Sequence, residues 1–275
     1  MSTLDYVDLA ARHGFAGIDI PSLTAVMKTG GASSLRDALA AKGIAPVIFG
    51  LAPEMGLEGV EWRKDEETFR HSLVTLAPAA RFAQELGLTR CYTYLPPAVD
   101  TDSNEYENLL ARRLREMSCL LGEHGIRLGM EWLGPRHLRA EGTDAMGANP
   151  FIFSMERTLT LIEKISVPTV GLILDSLHAY TTGIGGKEIS SLAADQIVHV
   201  HLSDVVKGQG RVGARSDQRL LPGAGEVDLA GLLRGLRAIG YDGYAAVEVI
   251  APENIAETPD ESAIMIRSSL RKLGI

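Results

Sequence analysis

Two hydrophobic patterns alternate along the chain. In the longer stretches, apolar residues recur every three or four positions, which is typical of helices that bury one face. These helix-like stretches cover 65–86, 104–124, 154–166, 228–239 and 259–272. Between them lie short apolar runs that resemble strands. Strands that alternate with helices predict parallel β-α-β units and therefore an α/β fold.

Seven runs have the strand-like pattern, and several follow a helix-like stretch that ends in glycine. Glycine is favoured just past a helix end because it adopts the left-handed conformation without steric cost. The glycines at these ends are Gly14, Gly43, Gly87, Gly125 and Gly240. The strand-like runs are GIDI (17–20), APVIF (45–49), RCYTY (90–94), RLGMEW (127–132), VGLILD (170–175), IVHVHL (197–202) and AAVEV (245–249).

Seven strands, about eight helices and the absence of a Pro/Gly/Ser-rich linker predict a single domain over 1–275. The pattern suits a (β/α)8-type TIM barrel. A doubly wound open sheet is the alternative, but no GxGxxG motif follows the first strand-like run. A TIM barrel has eight strands, whereas this chain opens with a helix-like stretch. An incomplete barrel, a strand from elsewhere and a start further upstream all remain open.

Composition excludes few classes of protein. The formal net charge is −8, which argues against nucleic acid as a partner. No apolar run reaches the roughly 18–20 residues that span a bilayer, so no membrane partner is expected. The first residues also lack the basic start and apolar core of a signal peptide. We therefore expect a cytoplasmic protein.

Four strand-like runs carry a possible metal ligand at or near their carboxyl ends: Glu131, Asp175, His201 and Glu248. A carboxylate at the end of an apolar run is costly to bury unless a cation or hydrogen bonds compensate it. Parallel strands bring these ends to the face on which barrels place active sites. The pattern therefore predicts one divalent metal ion per chain. Four unrelated structural polar residues are the alternative.

The ligand types narrow the choice of ion. Three carboxylates and one imidazole form an oxygen-rich donor set, which favours Mn²⁺ or Mg²⁺ and leaves Co²⁺ or Zn²⁺ possible. Two further histidines lie close in sequence. His199 faces the same side of its strand as His201, either as a partner of the site or as a core residue. His178 follows Asp175 by three residues and either contacts substrate or caps the next segment.

Several longer motifs occur in a characteristic order along the chain. They are GFAGIDI (14–20), MEWLG (130–134), LILDSLHAY (172–180), HVHLSD (199–204), RLLPGAGEVDL (219–229) and GYDGYAAVE (240–248). In this order the sequence resembles the xylose isomerase-like TIM barrel superfamily, and within it the sugar phosphate isomerase/epimerase family. Its relatives include ketose 3-epimerases, inosose dehydratase and endonuclease IV. The resemblance covers nearly the whole chain. It implies that GIDI is the family's second strand and that its first is missing.

The resemblance also implies roles for individual residues. The four candidate ligands would hold the metal, and Glu131 and Glu248 would flank the reacting carbon as catalytic acid and base. His178 and Arg219 would bind substrate oxygens. His137 stands where the ketose 3-epimerases carry a substrate-binding glutamate, which argues against an ordinary ketohexose 3-epimerase. His137 and His199 complete the candidate substrate-binding set.

The implied activity is that of a metal-dependent isomerase or epimerase. Its substrate would be a sugar, a ketose or a sugar-derived keto compound, and the reaction would pass through a metal-stabilised enediolate. Loss of a β-hydroxyl from the same intermediate would instead make the protein a lyase or dehydratase. A non-catalytic sugar-binding subunit is a further alternative. The residues Asp217-Gln218-Arg219 stand where the nuclease relatives have Asp-Arg-His, which argues against nuclease activity.

Two expectations concern binding partners. Loop arginines could hold a carboxylate or phosphate group of a sugar or keto-acid substrate, although such residues are more often solvated. They are Arg136, Arg139, Arg211 and Arg215. An incomplete barrel also leaves a strand edge that needs cover, and relatives of this kind commonly assemble. We therefore expect a homodimer or homotetramer.

Overall fold

The structure of the protein is a computed structural model that describes residues 1–29, 31–250 and 256–275. Within these residues, seven strands form one sheet in the order β1-β2-β3-β5-β7-β8-β9. The register is parallel between β1 and β2, β2 and β3, β7 and β8, and β8 and β9. The strands are β1 Gly17–Ile20, β2 Ala45–Gly50, β3 Arg90–Leu95, β5 Arg127–Trp132, β7 Val170–Asp175, β8 Ile197–Leu202 and β9 Ala245–Val247. All seven predicted strands are therefore present.

A small second sheet was not predicted. It consists of β4 Ala98–Val99 and β6 Asn149–Pro150, which pair in the antiparallel direction. Two-residue strands are too short to show an alternation of apolar and polar positions, so the sequence carries no periodic signal for them.

Helices connect the strands, and the five long helix-like stretches are confirmed to within one residue at each end. The described helices are α1 Thr3–Arg12, α2 Leu23–Lys28, α3 Ala32–Lys42, α4 Glu66–Leu86, α5 Ser103–Glu123, α6 Met155–Ile165, α7 Ser176–Thr182, α8 Gly186–Ile189, α9 Gly210–Gly213, α10 Leu229–Ala238 and α11 Pro259–Lys272. Their starts follow local rules. Asp65 and Asp228 cap α4 and α10 by accepting bonds from backbone N–H groups of the first turn. The described helices include none that is long and apolar enough to cross a membrane.

The described residues form two compact units. The first unit comprises Met1–Thr93, Glu107–Gly129 and Leu161–Gly171, and the second comprises Tyr94–Tyr106, Met130–Thr160 and Leu172–Ile275. In the first unit, α4 and α5 bury apolar side chains at helical spacing. These are Phe69, Leu76, Ala83, Leu114, Met117 and Leu121. The second unit contains the carboxyl ends of the strands that carry the candidate site.

The second unit has its own buried cluster beside these strand ends. Leu177, Val205 and Ala214 are buried together, and Tyr180 and Val227 pack against them. All residues of β7 and β8 are also buried. Strands that are covered on both faces are mostly apolar, as VGLILD is, and in IVHVHL only the two histidines interrupt the apolar residues.

Candidate metal centre

Four side chains converge at the carboxyl ends of four strands. Glu131 is the penultimate residue of β5, Asp175 is the last of β7, and His201 is the penultimate residue of β8. Register places Asp175 directly beside His201. Glu248 was predicted inside a strand but lies one residue beyond β9, where its backbone N–H donates to the carbonyl oxygen of Leu202 at 3.0 Å.

The structure brings one ligand atom from each of these four residues within 4.8 Å of the other three. His201 Nδ1 lies 3.0 Å from Glu131 Oε1 and 3.6 Å from Glu248 Oε2. Two ligands of one Zn²⁺ or Mg²⁺ ion, each about 2.1 Å from it, lie at most about 4.2 Å apart. A small inward movement would therefore place all four donors around one ion. Glu248 is the most exposed of the four, with 23% of its side chain accessible.

Electrostatics also favour a cation in this cluster. Burial, and next the nearby Glu248 carboxylate, raise the pKa of Glu131 to about 7, although a hydrogen bond from His201 opposes the change. A raised carboxyl pKa means that the neighbouring cations do not balance the buried negative charge. The donor set therefore fits a divalent ion in both ligand type and charge.

Asp175 is oriented by the backbone as well as by charge. Its Oδ1 accepts bonds from the N–H groups of Leu177 at 2.8 Å and His178 at 2.9 Å, so Asp175 is also the N-cap of α7. Its Oδ2 accepts a 2.6 Å bond from Arg219 Nη1. Burial alone would raise the pKa of Asp175, but the charge of Arg219, together with the backbone N–H bond from His178, outweighs burial and holds the pKa below its usual value. The carboxylate is therefore ionised in a fixed orientation.

Arg219 is a buried cation in contact with two of the four residues. It is only 2% exposed, and its Nη1 donates to Asp175 Oδ2 at 2.6 Å and to Glu248 Oε2 at 2.8 Å. Burial lowers the pKa of Arg219, but the negative charges of Asp175, Glu248 and Glu131 together raise it by more than burial lowers it. The net change in the pKa is therefore upward. Arg219 therefore stays charged and provides a permanent set of N–H donors.

His178 lies on α7 and is a buried, neutral imidazole. Burial is the main cause that lowers its pKa to about 3. Its Nδ1 lies 3.4 Å from the N–H nitrogen of Gly134, and its Nε2 lies 3.4 Å from Arg219 Nη2. A neutral ring accepts at one nitrogen and donates at the other, so only one of these two long contacts can be a hydrogen bond at a time.

The remaining two candidates lie in different surroundings. His199 is fully buried in β8 and packs edge to face against His201, with ring centroids 5.1 Å apart. His137 lies on the short 3-10 helix Arg136–Leu138, and its Nε2 is 3.2 Å from Ser216 Oγ. Burial, followed by the charge of Arg215, lowers the pKa of His137 and so favours its neutral form.

Two of the loop arginines already have partners within the chain. Arg139 donates through Nε to the carbonyl oxygen of Gly134 at 3.0 Å, and its guanidinium lies 4.3 Å from the ring centroid of Phe153. Arg215 pairs with Asp144 at 2.7 Å and Asp217 at 2.9 Å. These contacts position the loops and do not favour the hypothesis that these two side chains bind a substrate anion. Arg136 and Arg211 are exposed.

Sequence analysis missed two buried or bridging carboxylates near the site. Asp204 is 1% exposed and accepts bonds from four backbone N–H groups. Glu226 accepts a 2.8 Å bond from the hydroxyl of Tyr180. Both lie inside motifs that the sequence had shown, HVHLSD and PGAGEVD, but nothing in either motif indicates that the two segments meet.

Comparison with known proteins identifies the family of the chain. Residues 7–269 match the model of the family described as xylose isomerase-like TIM barrel. The chain is 28% identical over 244 residues to a 3-dehydroshikimate dehydratase of Pseudomonas putida, covering 88% of this chain and 35% of that protein. It is 22% identical to an inosose isomerase of Bacillus velezensis, covering 72% and 67%. A D-psicose 3-epimerase of Enterocloster bolteae is 26% identical, covering 57% and 45%.

Solved structures show the same fold. A xylose isomerase domain protein from Alicyclobacillus acidocaldarius is 30% identical with a TM-score of 0.86, covering 99% of this chain and 93% of that one. The IOLI protein with a bound zinc atom is 19% identical with a TM-score of 0.78, covering 98% and 92%. The predicted TIM-barrel fold class and the family resemblance are therefore confirmed. The chain belongs to the xylose isomerase-like TIM barrel family.

Proposed function

We propose that the chain is a divalent-metal-dependent isomerase or epimerase that acts on a sugar, a ketose or a sugar-derived keto compound. The observation that carries the proposal is the convergence of Glu131, Asp175, His201 and Glu248 within 4.8 Å. The names of the relatives support the class of reaction, since they include an isomerase and an epimerase. The chain spans only 35% of the dehydratase and 45% of the epimerase that it matches.

The four residues would hold one divalent ion per chain. Three oxygen donors and one nitrogen donor favour Mn²⁺ or Mg²⁺, and Co²⁺ and Zn²⁺ also accept such a set. The ion would polarise a substrate carbonyl and offset the negative charge that develops when the neighbouring C–H loses its proton.

The proton transfers would fall to Glu131 and Glu248. Their carboxylates lie 3.0 Å and 3.6 Å from the same atom, His201 Nδ1, and so border the space in which the reacting carbon of a substrate would bind. One carboxylate removes a proton from the carbon beside the carbonyl. Return of a proton to the opposite face of that carbon gives an epimer, and return to the neighbouring carbon gives an isomer.

Arg219 and His178 would bind the substrate oxygens. Arg219 stays protonated and donates in fixed directions because Asp175 and Glu248 hold its Nη1. His178 is neutral and carries one N–H, which donates to a hydroxyl or carbonyl oxygen without adding charge. Together they orient a polyhydroxylated compound and stabilise negative charge on its oxygen.

Lyase activity is the second candidate function. It is favoured by the P. putida dehydratase, whose similarity extends over 88% of this chain. The same proton abstraction followed by loss of a β-hydroxyl gives a conjugated carbonyl product instead of an isomer. The ligands of the centre do not distinguish these outcomes, but the product does.

Exchange of substrate protons with solvent deuterium tests the proposal, and the same measurement can be made on several candidate substrates. The chain with Mn²⁺ would be incubated in D₂O with D-psicose, an inosose or 3-dehydroshikimate and followed by proton NMR. We expect one compound to take up solvent deuterium at a carbon beside its carbonyl, and Glu131→Gln to abolish the uptake. A new conjugated absorbance would identify a lyase. Tight binding of a sugar with neither exchange nor product would identify a binding subunit and refute the enzyme proposal.

A further inference from the structure

A single buried residue, Asp204, organises the segment that follows Arg219. Asp204 comes two residues after β8 and is 1% exposed. Its backbone N–H and carbonyl both bond to Leu220, with N···O distances of 2.9 Å in each direction. This two-bond bridge fixes the residue next to Arg219 beside the end of the strand that carries His201.

The side chain of Asp204 fixes the turn that follows. Oδ1 accepts the N–H groups of Val205 and Val227 at 2.9 Å each. Oδ2 accepts those of Gly223 at 3.0 Å and Gly225 at 2.9 Å. A carboxylate that accepts several backbone N–H groups is strongly held, because each bond to a charged acceptor is stronger than a neutral one.

The approach of this turn to Asp204 depends on a missing side chain. A Cβ at Gly225 would collide with the carbonyl oxygen of Val205 and would lie 2.5 Å from Asp204 Oδ1. The motif PGAGEVD (222–228) is therefore shaped to place its N–H groups on one buried carboxylate.

The same turn also secures a neighbouring loop. Glu226 accepts the hydroxyl of Tyr180 and the N–H of Gly210 through Oε1, both at 2.8 Å, and the N–H of Gly208 through Oε2 at 2.9 Å. Asp204 therefore makes two kinds of contact with this segment. Its backbone bonds to Leu220, next to Arg219, and its carboxylate binds the turn that carries Glu226.

We infer that Asp204 is a positioning residue for Arg219: it fixes the backbone of 219–227 so that the guanidinium points at Asp175 and Glu248. The bonds that the Asp204 carboxylate accepts come from backbone N–H groups, so its effect on Arg219 passes through the backbone. The inference rests on the proposed function only in that Arg219 binds substrate there; the positioning itself is a property of the folded chain.

Chemical modification of arginine reads the position of Arg219 directly. Full-length wild type and Asp204→Asn would be treated with phenylglyoxal and mapped by mass spectrometry, with the exposed Arg237 on α10 as internal reference. Asparagine keeps the shape but removes the charge and places an N–H donor opposite other donors. We expect Arg219 to be protected in the wild type and to react at least about tenfold faster in the variant.

A matched control separates positioning from general loss of stability. Asp228→Asn makes the same chemical change in the same segment, but Asp228 is a helix N-cap, a position that asparagine fills equally well. We expect Arg219 to stay protected in this variant. If Arg219 also stays protected in Asp204→Asn, or if all arginines become reactive together, the inference is wrong.

Two measurements keep the inference testable should Asp204→Asn not fold. Amide exchange of the wild type should show Gly223, Gly225 and Val227 protected relative to the exposed start of the chain, and rapid exchange there would overturn the inference. Gly225→Ala should increase the reactivity of Arg219 while leaving the Asp204 carboxylate in place. Unchanged protection in that variant would likewise overturn it.

Metal content and turnover distinguish this inference from the proposed function. In Asp204→Asn we expect Mn²⁺ bound in the wild-type amount, since no proposed ligand is changed, and kcat/KM lowered about tenfold for any compound that the wild type converts. A wild type that binds no Mn²⁺ and converts nothing would refute the proposed function. The selective exposure of Arg219 would still be expected, and its absence alone would refute the positioning role.

Discussion

Buried charge is concentrated in a few residues of the second unit, and Arg219 is the residue on which their balance depends. Its guanidinium contacts Asp175 at 2.6 Å and Glu248 at 2.8 Å, while Asp175 is completely buried. Removing one partner of a buried ion pair is costly because the remaining charge is left without compensation. The function of Arg219 and the stability of this unit are therefore linked.

Replacement of Arg219 by glutamine tests this link. We expect Arg219→Gln to lower the free energy of unfolding by about 3 kcal/mol, because the buried Asp175 carboxylate loses its guanidinium partner. Urea unfolding of the metal-free chain measures the change. The control is Arg237→Gln, an exposed arginine of α10, which should change stability by less than about 0.5 kcal/mol. Equal midpoints for the two variants would contradict the account.

Among the individual residues, the side chains at strand ends could be predicted from the sequence, whereas those held by backbone contacts could not. Glu131, Asp175 and His201 were recognisable because polar residues end apolar runs. Asp204 was not recognisable, because three of its four partners are backbone N–H groups 19 to 23 residues away. Every residue type except proline has such a group, so the sequence does not show which of them meets the carboxylate. The metal roles of the four ligands remain a prediction.

Among the elements, α4 and α5 depend on a buried arginine. Arg113 is 2% exposed on α5 and donates to the carbonyl oxygens of Trp62, at 2.9 Å, and Lys64, at 2.5 Å. One of its other nitrogens contacts Glu66 at 3.2 Å. All of these residues belong to the first unit, so their effect is on stability and not on the candidate site.

Two neighbouring arginines that share one carboxylate allow a matched comparison. We expect Arg113→Met to cost about 3 kcal/mol, because it leaves the carbonyl oxygen of the buried Trp62 without its donor and removes a partner of Glu66. Arg112→Met should cost less than about 1 kcal/mol, since the Arg112 side chain is 40% exposed and its ion pair with Glu66 is solvated. Urea denaturation measures both. Similar losses from the two variants would show that burial does not decide the effect.

The charge of Glu66 gives a prediction with a defined direction in pH. A hydrogen bond from Arg112 is the largest cause that lowers its pKa from 4.5 to about 2; burial opposes the change, and a further hydrogen bond from Arg113 supports it. The carboxylate therefore stabilises the folded chain above about pH 4.5, and this contribution is lost as the pH falls towards 2. The difference in urea midpoint between wild type and Glu66→Gln should shrink between about pH 6 and about pH 3. The exposed neighbour Glu67→Gln serves as control, and a difference independent of pH would contradict the prediction.

Helices and strands were predicted better than the connections between them. The long helices carry caps and apolar faces that are visible in the local sequence, as in α4 and α10, and nearly all residues of β5, β7 and β8 are buried. The sheet of β4 and β6 and the short helix α9 depend on contacts between distant segments. Local periodicity contains no information on such contacts, so they could not be predicted from one sequence.

For the whole molecule, family and fold class followed from the order of the motifs, while assembly did not. The sheet order ends at β1 and β9, and the expectation of a homodimer or homotetramer rests on the need to cover a strand edge. Static light scattering of the full chain at several concentrations should give two or four times the mass of one chain. A single-chain mass at every concentration would contradict this expectation.

Metal content tests the central claim most directly. Elemental analysis after supply of Mn²⁺ would compare wild type with Glu248→Gln and His201→Ala, using the exposed residues in Glu257→Gln and His71→Ala as matched controls. We predict about one equivalent of divalent metal per chain in the wild type and both controls, and a loss or marked weakening in the two site variants. If the wild type holds no metal, or if the site variants retain it fully, the four residues do not form the proposed centre, and the enzyme proposal fails with it.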